Sequence, residues 1–160
     1  GRAGAVATRA AAFGCPISYT DLQPMSDVNN TFIDDLKQLA RDSDALILAA
    51  AADKAEAIID AEVLRALGQG GYLINVARGK LVNEADLVAA LTAGEIAGVA
   101  LDVFVDEPHV PEALFGNEQV VLQPHRASAT LQTRTRMGEM VVASLVDSFA
   151  GKVPQGGVTG

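Results

Sequence analysis

Short apolar runs that alternate with helical patterns constrain this chain more than any other feature. Ala45–Leu48, residues 72–76, residues 96–103 and Val120–Leu122 each read as a strand. The first is apolar throughout, as in strands covered on both faces. Between them, Ile58, Ile59, Val63, Leu64 and Leu67 share one face of a helix predicted over 55–67. Asn83 is a natural N-cap for a helix over Glu84–Thr92, and Gly94 ends it. Strands separated by helices of about ten residues or more pair in parallel, through right-handed crossovers. The expected fold class is therefore α/β, a doubly wound parallel sheet.

The remaining segments fit that plan. Residues 5–13 are alanine-rich and helical, Gly14 stops them, and residues 15–19 read as a strand. Residues 21–30 are polar, with Pro24 in a loop. Phe32, Ile33, Leu36 and Leu39 have helical spacing over 32–39. A helix over 130–149 would bury Leu131, Met137, Met140, Val141, Leu145 and Phe149 in the core. No repeat or low-complexity linker interrupts the chain, so residues 1–150 are read as one domain and 151–160 as a C-terminal tail.

Composition narrows the function. A formal net charge of −8 argues against nucleic acid as a partner. No apolar run approaches the length of a membrane span, and no secretory signal is read at the first residues. The one cysteine, Cys15, cannot form an internal disulfide, which fits a reducing, cytoplasmic location; packing is the expectation for its side chain. The two histidines, His109 and His125, form no metal-ligand spacing with a cysteine cluster, and no metal is expected. Nucleophile-elbow and Walker A patterns are absent from the sequence.

Chemistry gathers where the strands end. In open α/β sheets ligands bind outside the carboxyl ends of the strands. Arg78 follows the strand at 72–76, Asp102 and Glu107 follow the next, and His125 follows the last. Each alone reads equally as a structural residue or a functional one. Parallel strands bring all of them to one edge, which favours function. A histidine can give up a proton near neutral pH, and a neighbouring carboxylate favours its charged form. An arginine keeps its charge, binds a carboxylate and polarises a carbonyl. Such a set suits reduction of a 2-keto acid by a nicotinamide.

Gly1-Arg-Ala-Gly4 opens a helix as the second half of a dinucleotide-binding G-x-G-x-x-G would. Together with Leu73-Ile-Asn-Val-Ala-Arg-Gly79, Ala97-Gly-Val-Ala-Leu-Asp-Val-Phe104, Asp106-Glu-Pro108 and Gln123-Pro-His-Arg-Ala-Ser128, it carries a resemblance over nearly the whole chain. The sequence resembles the nucleotide-binding, Rossmann-type domain of the D-isomer-specific 2-hydroxyacid dehydrogenases, above all their glyoxylate/hydroxypyruvate reductase branch.

That resemblance implies an oxidoreductase, with Arg78 binding the keto acid, Glu107 paired to the histidine and His125 as general acid. It also implies a cofactor site made by Gly1, Arg2 and Ala3 at the pyrophosphate and Asp21 and Leu22 at the ribose. Ala50, Val76, Ala77, Asp102 and Ala127 would complete it, with Asp102 at the nicotinamide carboxamide. NAD is expected over NADP, because Thr20-Asp21-Leu22-Gln23 offers an acid and no base where a 2′-phosphate would sit. The loop at 49–53 lacks the proline and threonine usual in the family. The implied partners are a small 2-keto or 2-hydroxy acid and a second copy in a homodimer. The family's first strand and substrate-covering domain are expected upstream of these residues, which read as a fragment. Two alternatives stay open: a non-enzymatic, NAD-sensing corepressor-like protein, and an inactive isolated Rossmann fragment.

Overall fold

The computed structural model describes residues 2–26, 28–50 and 57–154. The chain divides into two compact units, residues 1–125 and 126–160. In the first, α1 (Arg2–Ala12) leads to β1 (Ser18–Tyr19), β2 (Thr31–Phe32), α2 (Leu36–Arg41), β3 (Ala45–Leu48) and α3 (Ala61–Leu67). Then come β4 (Tyr72–Asn75), α4 (Glu84–Thr92), β5 (Gly98–Leu101) and β6 (Val120–Leu122), with 3-10 turns at Gly79–Leu81 and Glu112–Leu114. The second unit contributes α5 (Leu131–Phe149).

β3, β4, β5 and β6 form one parallel sheet in that order, so β4 and β5 are its central strands. The register pairs Leu46 with Leu73 and Leu73 with Val99. These three side chains are buried, and Ile59, Leu64, Leu81, Leu87 and Ile96 close over them. β1 and β2 form a separate two-stranded parallel sheet. The parallel α/β architecture expected from the alternation is present.

Local chemistry explains the element ends. Asp60 caps α3 by accepting from the N–H groups of Glu62 and Val63, and Gly68, with φ +77°, turns the chain out of that helix. Asn83 caps α4 through the N–H groups of Ala85 and Asp86, as the sequence suggests. Lys37 on α2 pairs with Glu62 on α3, tying two neighbouring helices at the surface.

Several expectations need correction. Phe32 belongs to a strand and not to a helix: Thr31 and Phe32 pair with Ser18 and Tyr19, and the Tyr19 and Phe32 rings meet edge-on at 5.4 Å. β-branched and aromatic residues suit that pairing, and Asp35 delays the helix until Leu36 by capping it. The helix expected over 55–67 begins at Ala61. Ile58 and Ile59 instead donate their N–H groups to the carbonyl of Leu81, and Ile59 forms a parallel bridge with Val82; residues 51–56 lie outside the described residues. α1 starts at Arg2, earlier than expected. Cys15 is exposed and not packed in a core.

The largest correction concerns α5. Leu131, Met137, Met140, Val141, Leu145 and Phe149 are all exposed, and the helix has no buried residue. Among the described residues of the second unit, α5 has no second layer against which to bury its apolar stripe.

Candidate active site

The site is built from the end of β4 outward. Asn75, the last residue of that strand, is fully buried. Its Oδ1 accepts the N–H of Ala77 at 3.0 Å, and its Nδ2 donates to the carbonyl of Arg78 at 3.0 Å. A buried amide that satisfies both halves of itself on the next turn fixes that turn. Arg78 is thereby presented at the sheet edge, and its Nη1 donates to the carbonyl of Ala77 at 2.8 Å.

Gly79 then passes against the segment that follows β5. A Cβ at Gly79 would overlap the backbone carbon and oxygen of Phe104 and stand 2.5 Å from the nitrogen of Val105. Only glycine allows the two strand ends to approach this closely. Gly79 serves here for close approach and not for a left-handed turn.

Beyond β5, the Glu107 carboxylate folds back on its own segment, Oε1 accepting from the N–H of Phe104 at 3.1 Å. Its Oε2 stands 2.8 Å from Nδ1 of His125. The hydrogen bond from His125 holds the Glu107 carboxyl below its ordinary value; burial opposes this, and the Phe104 N–H and the charges of His125 and Arg78 add to it. An ionised carboxylate only accepts, so Nδ1 carries the shared proton and Nε2 is the nitrogen turned to other chemistry. His125 has φ +49°, the left-handed region, which histidine tolerates better than most residues.

Arg78, Glu107 and His125 line one cavity of about 390 Å³, together with Gly79, Lys80 and the segment 103–106. The three side chains named from the sequence are thus brought together. A larger hollow of about 660 Å³ lies along α5 between Leu131 and Ala143 and contains none of them. A single helix flank encloses nothing, and the three residues named from the sequence all line the smaller cavity.

The other expected residues fall as follows. Ala3 lies in the first turn of α1, where backbone N–H groups have no helical acceptor; Arg2 opens that helix, and Gly1 lies outside the described residues. Asp21 is exposed just past β1, with Oδ1 accepting the N–H of Leu22 at 2.7 Å, and the Leu22 side chain is exposed. Ala50 follows β3 and is exposed; most of the expected loop at 49–53 lies outside the described residues. Val76 is half-buried and Ala77 buried at the end of β4. Asp102 is buried directly after β5, and its N–H donates to the carbonyl of Asn75 at 3.0 Å. Ala127 belongs to the second unit. Sequence reasoning missed the work of Asn75, although a lone polar residue in an apolar strand just before Ala-Arg-Gly was its signal. Among the described residues no group of three His, Cys, Asp or Glu side chains could hold a metal ion.

A parallel α/β sheet with an arginine, a carboxylate–imidazole pair and a buried aspartate at its carboxyl edge defines a Rossmann-type domain with a polar site where its strands end. Residues 1–127 match the NAD binding domain model of the D-isomer specific 2-hydroxyacid dehydrogenases, and the chain belongs to that family. It is 47% identical over 154 residues to glyoxylate/hydroxypyruvate reductase A of Arabidopsis thaliana, covering 95% of this chain and 49% of the relative. It is 43% identical over 149 residues to 2-ketogluconate reductase of Gluconobacter oxydans, covering 92% of this chain and 48% of the relative. Among solved structures, an NADPH-dependent glyoxylate/hydroxypyruvate reductase of Sinorhizobium meliloti in complex with NADP and malonate superposes with a TM-score of 0.85. The identity there is 44%, over 91% of this chain and 46% of that one. The chain spans about half the length of the curated relatives it matches.

Proposed function

We propose that this chain is the nucleotide-binding half of a nicotinamide-dependent reductase that converts a small 2-keto acid, of the glyoxylate or hydroxypyruvate type, to the 2-hydroxy acid. One observation carries the reading: the 2.8 Å pairing of Glu107 with Nδ1 of His125, beside Arg78, in a single cavity at the carboxyl edge of the sheet. The relatives named as glyoxylate/hydroxypyruvate and 2-ketogluconate reductases support the substrate class.

The residues divide the work by charge. Arg78 binds the keto-acid carboxylate and draws electron density toward the carbonyl oxygen. Glu107 holds the imidazole by Nδ1 and so leaves Nε2 to face the substrate. His125 then gives the Nε2 proton to the carbonyl oxygen as it becomes an alkoxide. A nicotinamide held at the ends of β4 and β5 would supply the hydride chemistry.

The chain's own donors fit that cofactor. The first turn of α1 offers N–H groups to a pyrophosphate, Asp21 stands past β1 where a ribose diol can be accepted, and Val76, Ala77 and Asp102 lie at the ends of β4 and β5 for the nicotinamide. Asp21 favours NAD over NADP, since its carboxylate would repel a 2′-phosphate. Family membership and the lone cysteine support a homodimer in the cytoplasm, and among the described residues no helix is long and apolar enough to cross a membrane.

The test is NADH consumption by the intact protein with a panel of 2-keto acids. Turnover with glyoxylate or hydroxypyruvate is the expected result; no turnover with any member of the panel overturns the reading.

A further inference from the structure

A side chain from far along the sequence grips the segment between β5 and Glu107. Glu84 is the first residue of α4 and is half-buried. Its Oε1 accepts the N–H of Val105 at 2.9 Å, across 21 residues. The preceding N–H, that of Phe104, donates to Oε1 of Glu107. Two consecutive amides therefore each bind a carboxylate, and one of those carboxylates is the partner of His125. The same Phe104–Val105 peptide is the surface against which Gly79 packs, next to Arg78. One peptide unit thus sets the spacing between the arginine turn and the carboxylate–imidazole pair, and Glu84 is the side chain that anchors it.

We propose that Glu84 is a positioning residue for this site: by holding the Val105 amide at a fixed reach from α4, it sets the geometry of the Glu107–His125 pair beside Arg78. Its catalytic meaning rests on the reductase reading above. A simpler account would have Glu84 act only as an acid in the first turn of a helix, where negative charge is favourable. The two accounts make opposite demands. A helix terminus needs the charge and is indifferent to one methylene, whereas the anchor needs an acceptor at the right length and is indifferent to the charge.

Glu84→Gln keeps the length and the acceptor without the charge, and Glu84→Asp keeps the charge but falls short of Val105. In the intact protein, carboxyl-carbon NMR of Glu107 reads the pairing directly, since His125 and Arg78 both face that carboxylate. Glu84→Gln is expected to leave the Glu107 titration as in the wild type. Glu84→Asp and Glu84→Ala should move it upward, toward an unpaired glutamate. Under the reductase reading, kcat should fall about ten- to a hundredfold in the Asp and Ala variants, as for a small misplacement of a catalytic group, with the KM for NADH unchanged. Rescue by Gln is the signature.

The proposal is overturned if Asp preserves both readouts while Gln loses them, or if Ala changes neither. Should the Ala variant fail to fold, the Gln and Asp pair decides alone. The Glu107 titration needs no substrate, so a wild-type protein that reduces no 2-keto acid would remove the reductase reading and leave the positioning role to be judged by NMR.

Discussion

Gly79→Ala tests the architecture of the site most directly. The φ angle of Gly79 lies outside the left-handed region, so alanine can adopt the backbone conformation and the whole cost is steric. That cost falls on backbone: the new Cβ overlaps the carbonyl carbon and oxygen of Phe104 and approaches the Val105 nitrogen to 2.5 Å. No side-chain rotation relieves it, and the two strand ends must separate. Overpacking of this kind costs about 1–3 kcal/mol. An overlap with backbone atoms puts the cost in the upper part of that range, about 2–3 kcal/mol. The smaller conformational freedom of alanine in the unfolded chain returns about 0.4–1 kcal/mol, leaving a net loss of roughly 1–2.5 kcal/mol. At about 2–4 °C per kcal/mol for a domain of this size or a little larger, Tm should drop by roughly 2–10 °C. Gly70→Ala is the matched control, because a Cβ there meets nothing within 4 Å; it should be neutral or slightly stabilising. Urea unfolding of the three proteins measures both differences. In addition, kcat/KM of Gly79→Ala should fall further than the lost folded fraction explains, since separation of the strand ends moves Arg78 away from Glu107. A Gly79→Ala protein as stable as wild type, within about 0.5 kcal/mol, would refute the claim that the strand ends are in contact here.

Three further outcomes are expected. His125→Asn keeps a residue that tolerates the left-handed backbone but removes the acid, so kcat for keto-acid reduction should fall about 10²–10⁴-fold with little change in Tm, measured by NADH oxidation and thermal unfolding. Glu107 has its pKa held below the ordinary glutamate value of 4.5, chiefly by the hydrogen bond with His125. A carboxylate with a depressed folded pKa stabilises the fold above its unfolded pKa and loses that contribution as pH falls through the folded value. Glu107→Gln should therefore flatten the acid limb of stability against pH below about 4.5. Because the pair is half-exposed to solvent, the effect should be only about 0.2–1 kcal/mol by urea unfolding at two pH values. Asp21→Asn should narrow the preference for NADH over NADPH by about tenfold, as expected for removal of ~1.4 kcal/mol of repulsion, read as the ratio of the two kcat/KM values.

Much of the fold was legible because it depends on local signals. Asn83 capping α4, Gly94 with its positive φ and the strand at Val120–Leu122 all sit where turn chemistry and apolar runs place them. Phe32 and Ile33 misled because four apolar residues at helical spacing also occur when a two-residue strand runs straight into a capped helix. Periodicity cannot separate those cases; the pairing of Thr31 and Phe32 with Ser18 and Tyr19 can, and it is non-local. The apolar stripe of α5 is real, yet burial needs a second surface, and a sequence pattern does not say whether its partner lies within the same compact unit.

The candidate site divides along the same line. The residues that meet in the cavity could be named from the sequence because each follows a strand, and parallel strands order their ends. The pairing of His125 with Glu107 was implied by the family resemblance and is present. The clamps that hold the pair beside Arg78 could not be named, because each joins segments remote in sequence: Gly79 meets Phe104 and Glu84 reaches Val105. The backbone of His125 makes the point most clearly. A non-glycine residue at φ +49° is held there against its own preference. Here the N–H of Gln123 donates to the carbonyl of Leu101, continuing the sheet past β6, and the N–H of His125 donates back to the carbonyl of Gln123. The chain doubles on itself within two residues of the sheet edge, and that turn delivers Nδ1 to Glu107. An imidazole on a relaxed strand extension would have no such constraint on its direction. The turn at Gln123–His125 therefore sets the direction of the ring.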